Sequence, residues 1–252
     1  MALDLQSKSM GGGKPLFLLH GFPLSSQMWD GLQPPKGFRL ILPDFPGFGL
    51  TPLTHEKIDF KALSFALEAH LKALGIDGPI TLGGISMGGY WSLEFARLFP
   101  ERLERLILIS TRAGLDKPEA HQKRLTMAER VIEEGMGGFV AGMVPGLLSQ
   151  TTLTTRPQVV QKLSQWVAGA PPAAVALAQK VMADRRDQTD LLPTIKAQTL
   201  ILAGQEDTLI APTESQAMAK LIPHSELKIL ERVGHLIPLE DPGGFQAIFN
   251  QL

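Results

Sequence analysis

Short apolar runs recur along the chain, several of them apolar almost throughout, each followed by turn residues and then by a stretch of helical period. They are LFLLH (16–20), RLILP (39–43), ITLGG (80–84), RLILIS (105–110), TLILAG (199–204) and ELKIL (226–230). A strand covered on both faces shows no polar side, so such runs predict the inner strands of a parallel sheet. Between them, residues 60–74 place Leu63, Leu67, Leu71 and Leu74 on one face of a helix that Gly75 closes. Residues 87–98 predict a second helix, ended by Pro100. Residues 212–222 predict a third, opened by Pro212 and stopped before Pro223. The alternation of strand and helix predicts an α/β fold with a mostly parallel, doubly wound sheet.

Residues 112–190 break the alternation. They contain no convincing strand and predict helices over 118–134, 137–148, 157–168 and 172–184, with Pro157 and Pro171-Pro172 as entry signals. Ordinary connections run to about 2–6 residues. The predicted organisation is therefore a core domain of 1–111 and 191–252 with a helical cap subdomain, 112–190, at one end of the sheet. Gly11–Gly13 is the only low-complexity patch and predicts a flexible or hairpin-turn piece.

Composition narrows the chemistry. Of 252 residues, 44% are apolar and 19% charged, a globular balance. A net charge of -1 offers no basic field for nucleic acid. With no cysteine there is no disulfide and no thiolate ligand or nucleophile. GGGK at 11–14 is followed by Pro15 where a phosphate loop needs Ser or Thr, GFG at 47–49 lacks the third glycine of a dinucleotide fingerprint, and no H-E-x-x-H is present. No cofactor or metal is expected. The start, MALDLQSKSMGGGK, has no basic segment leading into an apolar stretch, and no apolar run reaches the ~18 residues of a membrane span. The expectation is a cytoplasmic protein without membrane association.

One stretch carries reactive chemistry. In GGISMGGY (83–90), Ser86 lies between Gly84 and Gly88, after a strand and before a helix. A turn that sharp strains the serine backbone and lifts its hydroxyl clear, and a Cβ at either glycine would collide across the turn. The Met87 N–H then lies at a helix N-terminus, where developing negative charge is stabilised. The alternative is a helix-capping serine beside packing glycines. A serine needs a base, and the base an orienting acid, in the chain order serine, acid, histidine. His235, in RVGHLIPLEDP after the last strand, suits the base. His55, His70, His121 and His224 read as surface residues. Asp207, after TLILAG, suits the acid, with Glu206 as its neighbour and competitor; Glu240 and Asp241 read as a loop pairing and a helix N-cap. The other site for the acid, after RLILIS, offers only Ser110, Thr111 and Arg112. In HGFP (20–23) Pro23 cannot donate, so the oxyanion hole falls to the Phe22 and Met87 N–H groups, with His20 anchoring the loop.

These segments together, with DFPGFGLT (44–51), AGQEDTLI and GHLIPLEDP, resemble the α/β-hydrolase superfamily in its small capped branch of esterases, lactonases, cofactor-free perhydrolases and C–C hydrolases. The resemblance runs from about 15 to 250. It implies an eight-stranded, mostly parallel sheet, here with a shortened N-terminal edge where one strand is missing or very short, and a cap inserted after the sixth family strand. It implies a serine hydrolase acting through an acyl-enzyme of Ser86, His235 and Asp207. Serine in place of aspartate at the elbow argues against halide displacement and epoxide opening. Pro23 after the oxyanion donor is similar to perhydrolase-like members, which makes a peroxide-dependent side activity an expectation. In the cap, Phe139, Met143 and Trp166, with Pro23 from the core, are the expected pocket residues, and small to medium uncharged carboxylic esters the expected substrates. Arg112 and Arg124 are possible exceptions that the sequence does not place. C–C hydrolysis of a ring-cleavage product, lactonase or perhydrolase activity, and a non-catalytic ligand-binding role are the alternatives.

Overall fold

A computed structural model describes residues 3–252; Met1 and Ala2 of the expected core domain lie outside the described residues. Seven strands form one sheet: β1 Ser7–Gly11, β2 Lys14–Leu19, β3 Phe38–Pro43, β4 Ile80–Ile85, β5 Leu103–Ile109, β6 Gln198–Gly204 and β7 Ser225–Leu230. Their order is β1-β3-β2-β4-β5-β6-β7, with β1 antiparallel to β3 and every other pairing parallel. All six apolar runs are strands, and the seventh is the short N-terminal edge. Among the described residues the sheet thus has seven strands rather than eight. Of the two expectations for Gly11–Gly13, a flexible or a hairpin-turn piece, the described residues form no hairpin there. β1 and β2 both pair with β3 rather than with each other, so these glycines carry the chain across the end of β3, and Lys14 N–H donates to Gly37 O at 2.9 Å.

Both faces of the sheet are covered, which is why the inner strands lack a polar side. On β5, Ile107 and Ile109 join the larger apolar cluster, whereas Leu106 and Leu108 join a second one with Leu93, Ile201 and Met218. Successive side chains alternate across a strand, so the two clusters lie on opposite faces. Burial of this kind contributes roughly 1.5–3 kcal/mol per large apolar side chain.

The helices are α1 Phe60–Ala73, α2 Met87–Leu98, α3 Pro118–Glu134, α4 Gly137–Met143, α5 Gln150–Thr155, α6 Pro157–Ala168, α7 Pro172–Ala183, α8 Pro212–Leu221, α9 Ile237–Glu240 and α10 Pro242–Phe249. Asp59 caps α1 by accepting from Ala62 N–H, and Gly75 follows its end at φ 71°. Helices α3 to α7 fill the interval between β5 and β6, where no strand was expected. The predicted helix 137–148 divides: α4 stops at Met143 and Val144–Leu147 tightens to a 3-10 turn, because Pro145 has no N–H to continue an α-helix. The threonine-rich α5 escaped prediction, since QTTLTT has poor intrinsic helix propensity. Ser149 supplies its N-cap by accepting from Thr152 N–H at 2.9 Å.

Candidate active site

Ser86 sits where β4 turns into α2. Its φ is 54° and ψ −112°, a conformation costly for any residue but glycine. Its side chain makes no capping bond, so the capping alternative fails. The surroundings over-determine the turn. Ser86 N–H donates to Ile109 O at 2.9 Å, and the Thr111 hydroxyl donates to Ser86 O at 2.9 Å. A Cβ on Gly84 would strike Gly88 O, and a Cβ on Gly88 would strike Leu19 O. These glycines therefore let α2 pack directly on the end of β2. The loop after β2 is thereby brought against the elbow, where a Cβ on Gly21 would lie 3.7 Å from the Ser86 Cβ, and among the described residues neither the Phe22 nor the Met87 N–H enters a backbone hydrogen bond.

Asp207 and His235 come together at the ends of β6 and β7. His235 Nδ1 lies 2.8 Å from Asp207 Oδ2, and the two side chains are 1% and 0% exposed. The second carboxylate oxygen of Asp207 accepts from the Leu209 and Ile210 N–H groups, both at 2.9 Å, which fixes its orientation. His235 Nε2 is shielded and has no hydrogen-bond partner among the described residues. Glu206 turns the other way: it accepts from the Thr151 N–H at 2.9 Å and the Thr151 hydroxyl at 2.7 Å. Those bonds hold its carboxyl below the usual range. Geometry thus assigns the histidine partner to Asp207 and gives Glu206 to the insertion.

His20 anchors the loop before the elbow, as expected. Phe45 N–H donates to its Nε2 at 2.9 Å, which places the ring proton on Nδ1, 3.1 Å from Gly21 O. Burial lowers its pKa, opposed by the charge of Asp44 nearby, and the hydrogen bonds describe the neutral ring. Asp44 accepts from the Ser26 N–H and hydroxyl and from Leu50 N–H, tying the DFPGFGLT segment to the loop after β2. Asp241 caps α10, accepting from Gly244 N–H at 2.9 Å. Glu240 is more than a loop pairing. Its carboxylate accepts from Gly234 N–H at 3.0 Å and from Ser149 N–H at 2.8 Å, and so joins the His235 loop to the insertion. His70 is half-buried rather than a surface residue, its Nε2 2.9 Å from the Ser7 hydroxyl.

Ser86 opens into a cavity of about 390 Å³ walled by Phe22, Tyr90, Phe139, Met143 and Ile210 among others. Phe139 and Met143 thus line the cavity into which Ser86 opens. Pro23 and Trp166 do not: they line a separate cleft of about 540 Å³ with Met28, Phe48 and Gln165. Pro23 follows the Phe22 turn onto its far side, and Trp166 projects from α6, whereas α3 and α4 cover Ser86. Arg112 and Arg124, which the sequence left unplaced, both line the Ser86 cavity, as do Asp116 and Lys123. That removes the ground for expecting uncharged substrates only. Nothing in the local sequence marks Asp116 or Tyr90; Thr111 stands directly after RLILIS, and that position is its only signal. Among the described residues no three His, Cys, Asp or Glu side chains are grouped to hold a metal, and no helix is long and apolar enough to cross a membrane.

A strained serine at a strand–helix turn, a buried acid–histidine pair after the next strands and a helical insertion above them define the α/β-hydrolase class of protein. The family described as alpha/beta hydrolase fold matches residues 14–242, and the chain belongs to it. A solved thermophilic esterase from Thermogutta terrifontis, in a malate-bound structure, is 40% identical and superimposes with a TM-score of 0.91 over 98% of this chain and 92% of that one. A 2-hydroxy-6-oxo-2,4-heptadienoate hydrolase from Pseudomonas putida is 28% identical over 98% of this chain and 92% of its own length. A pimeloyl-[acyl-carrier protein] methyl ester esterase from Nitrosospira multiformis is 29% identical over 97% and 96%.

Proposed function

We propose that the protein is a serine hydrolase of small to medium carboxylic esters that works through an acyl-enzyme. The observation that carries the reading is Ser86 at positive φ in the wall of a cavity, with a buried Asp207–His235 pair after β6 and β7 on the same side of the sheet ends. His235 Nε2 takes the hydroxyl proton as Ser86 attacks the ester carbonyl. The Phe22 and Met87 N–H groups hold the oxyanion, and the leaving alcohol departs with the proton from His235. Water, deprotonated by the same nitrogen, then attacks the acyl-enzyme and frees Ser86. Asp207 orients the imidazole and stabilises its cation throughout. The relatives named as esterases support the same chemistry, and the name of the Pseudomonas relative supports hydrolysis of a C–C bond as the second reading.

The test uses p-nitrophenyl esters of graded chain length. The parent is expected to turn over many times. Ser86→Ala is expected to lose at least about 10³-fold in kcat, and Asp207→Asn about 10³–10⁴-fold. Equal rates for parent and Ser86→Ala would remove Ser86 as nucleophile. Turnover of a vinylogous 1,5-diketone but of no ester would favour the C–C reading.

A further inference from the structure

The wall of the Ser86 cavity carries more positive charge than the protein neutralises. Arg112, Lys123 and Arg124 line it, and Asp116 is the only carboxylate among the lining residues. That one carboxylate already serves three guanidinium groups. Arg124 Nε donates to its Oδ2 at 2.7 Å, Arg185 donates to both oxygens at 2.7 and 3.1 Å, and Arg112 donates to Oδ1. Arg185 is also spent on the Met182 and Gly114 carbonyls and lies over the Tyr90 ring at 4.4 Å. Burial alone would favour the neutral acid; the hydrogen bonds from Arg185 and Arg124 outweigh it and drive the Asp116 pKa far down. Asp116 therefore remains a fixed single charge, which aims the arginines without cancelling them. Arg112 Nε is shielded from solvent and has no hydrogen-bond partner among the described residues. Lys123 is exposed at the cavity rim and forms no ion pair among them. Besides Ser86, Tyr90 and Gln179, whose side-chain oxygen accepts from Arg124 at 3.2 Å, the rest of the lining is apolar, with Met127, Phe139, Met143 and Met182.

An excess of cations in a partly enclosed apolar cavity favours an anion, and a planar guanidinium fork matches a carboxylate. We propose that this wall binds a free carboxylate borne by the substrate, so that monoesters of dicarboxylic acids are preferred over uncharged esters. The proposal rests on Ser86 being the nucleophile of an ester hydrolase, and it deepens that reading by assigning the charge of the substrate.

The experiment compares kcat/KM for monomethyl adipate and dimethyl adipate within each protein, and follows the ratio of the two. The parent ratio is expected to exceed unity and to fall as salt is raised. Arg112→Gln and Arg124→Gln are expected to lower the ratio about tenfold, the worth of a charge-assisted hydrogen bond. Lys123→Gln, an exposed position whose change leaves the fold intact, is expected to lower it about two- to threefold. A parent ratio at or below unity overturns the proposal, and so does an unchanged ratio in the variants. If the parent hydrolyses neither ester, the ester reading fails separately, and calorimetric titration of adipate into Ser86→Ala still tests the wall. Saturable binding weakened about tenfold by a further Arg124→Gln change supports it; no binding overturns it.

Discussion

The floor of the site and the helical insertion above it are built on different tolerances. On the floor, backbones touch: a Cβ on Gly84, Gly88 or Gly204 would meet a carbonyl oxygen of the neighbouring segment. In the insertion, Gly137, Gly138, Gly142 and Gly146 have no atom within 4 Å of a would-be Cβ. The floor is held by contacts that leave one arrangement for Ser86, Phe22 and Met87. The insertion is held by side-chain packing, an arginine–aspartate cluster and a few bonds from Glu206 and Glu240. A proposed chemistry that needs placement within fractions of an ångström sits on the rigid part. The part proposed to choose the substrate can change its side chains at little expense to the fold.

The sharpest way to break this comparison is Gly88→Ala. The added methyl has no room beside Leu19 O, so the variant is expected to lose about 3 kcal/mol or more and its activity, read by denaturant midpoint and ester turnover. A stable, active Gly88→Ala protein would end the claim of a sterically fixed floor. Next comes the joint between the two regions. Glu240→Gln replaces one acceptor of the Gly234 and Ser149 N–H groups by a donor, and is expected to cost about 1–3 kcal/mol by the same measurement. Gly138→Ala, inside α4, should instead leave activity in place and stabilise by about 0.5–1 kcal/mol, through the lower entropy of the unfolded chain.

Acid should separate the regions in the gentlest way. Burial lowers the pKa of His20 below 6.5, so between the folded and unfolded values the unfolded chain binds the extra proton. Stability is then full above pH 6.5 and declines as pH falls from there. Asp116 is also lowered, from 3.8, so its contribution is kept until the pH drops beneath that value. Thermal midpoints followed downward in pH are expected to start falling near 6.5, and the fall is expected to flatten in His20→Gln. An identical early fall in that variant would assign it elsewhere, for instance to half-buried His70, whose pKa burial also lowers.

Local signals carried a good deal of this molecule. The five inner strands and the edge strand β7, the helices opened by prolines and the elbow around Ser86 are legible because each depends on neighbours within a few residues. Asp207 could be preferred over Glu206 only by its place after β6, and the preference agrees with the geometry. Pro23 and Trp166 were misplaced because sequence tells that a side chain is apolar, not which cavity it faces. The break at Pro145 is legible in the sequence; the α5 helix is not, since its threonines argue against it and its Ser149 cap, the Glu206 carboxylate on Thr151 and its packing sustain it.

By itself, then, the sequence determined the sheet, its helical insertion and the candidate nucleophile, because periodicity, turn chemistry and chain order are properties of contiguous residues. Only the tertiary structure decided which groups share a space. It turned Asp207 toward His235 and its neighbour Glu206 toward Thr151, and it gathered Arg112, Asp116, Lys123 and Arg124 around one cavity, with Arg185 bonded to Asp116 from behind. The reason is physical: adjacent side chains leave the backbone in different directions, and charges far apart along a chain neutralise one another only where the fold brings them within a few ångströms.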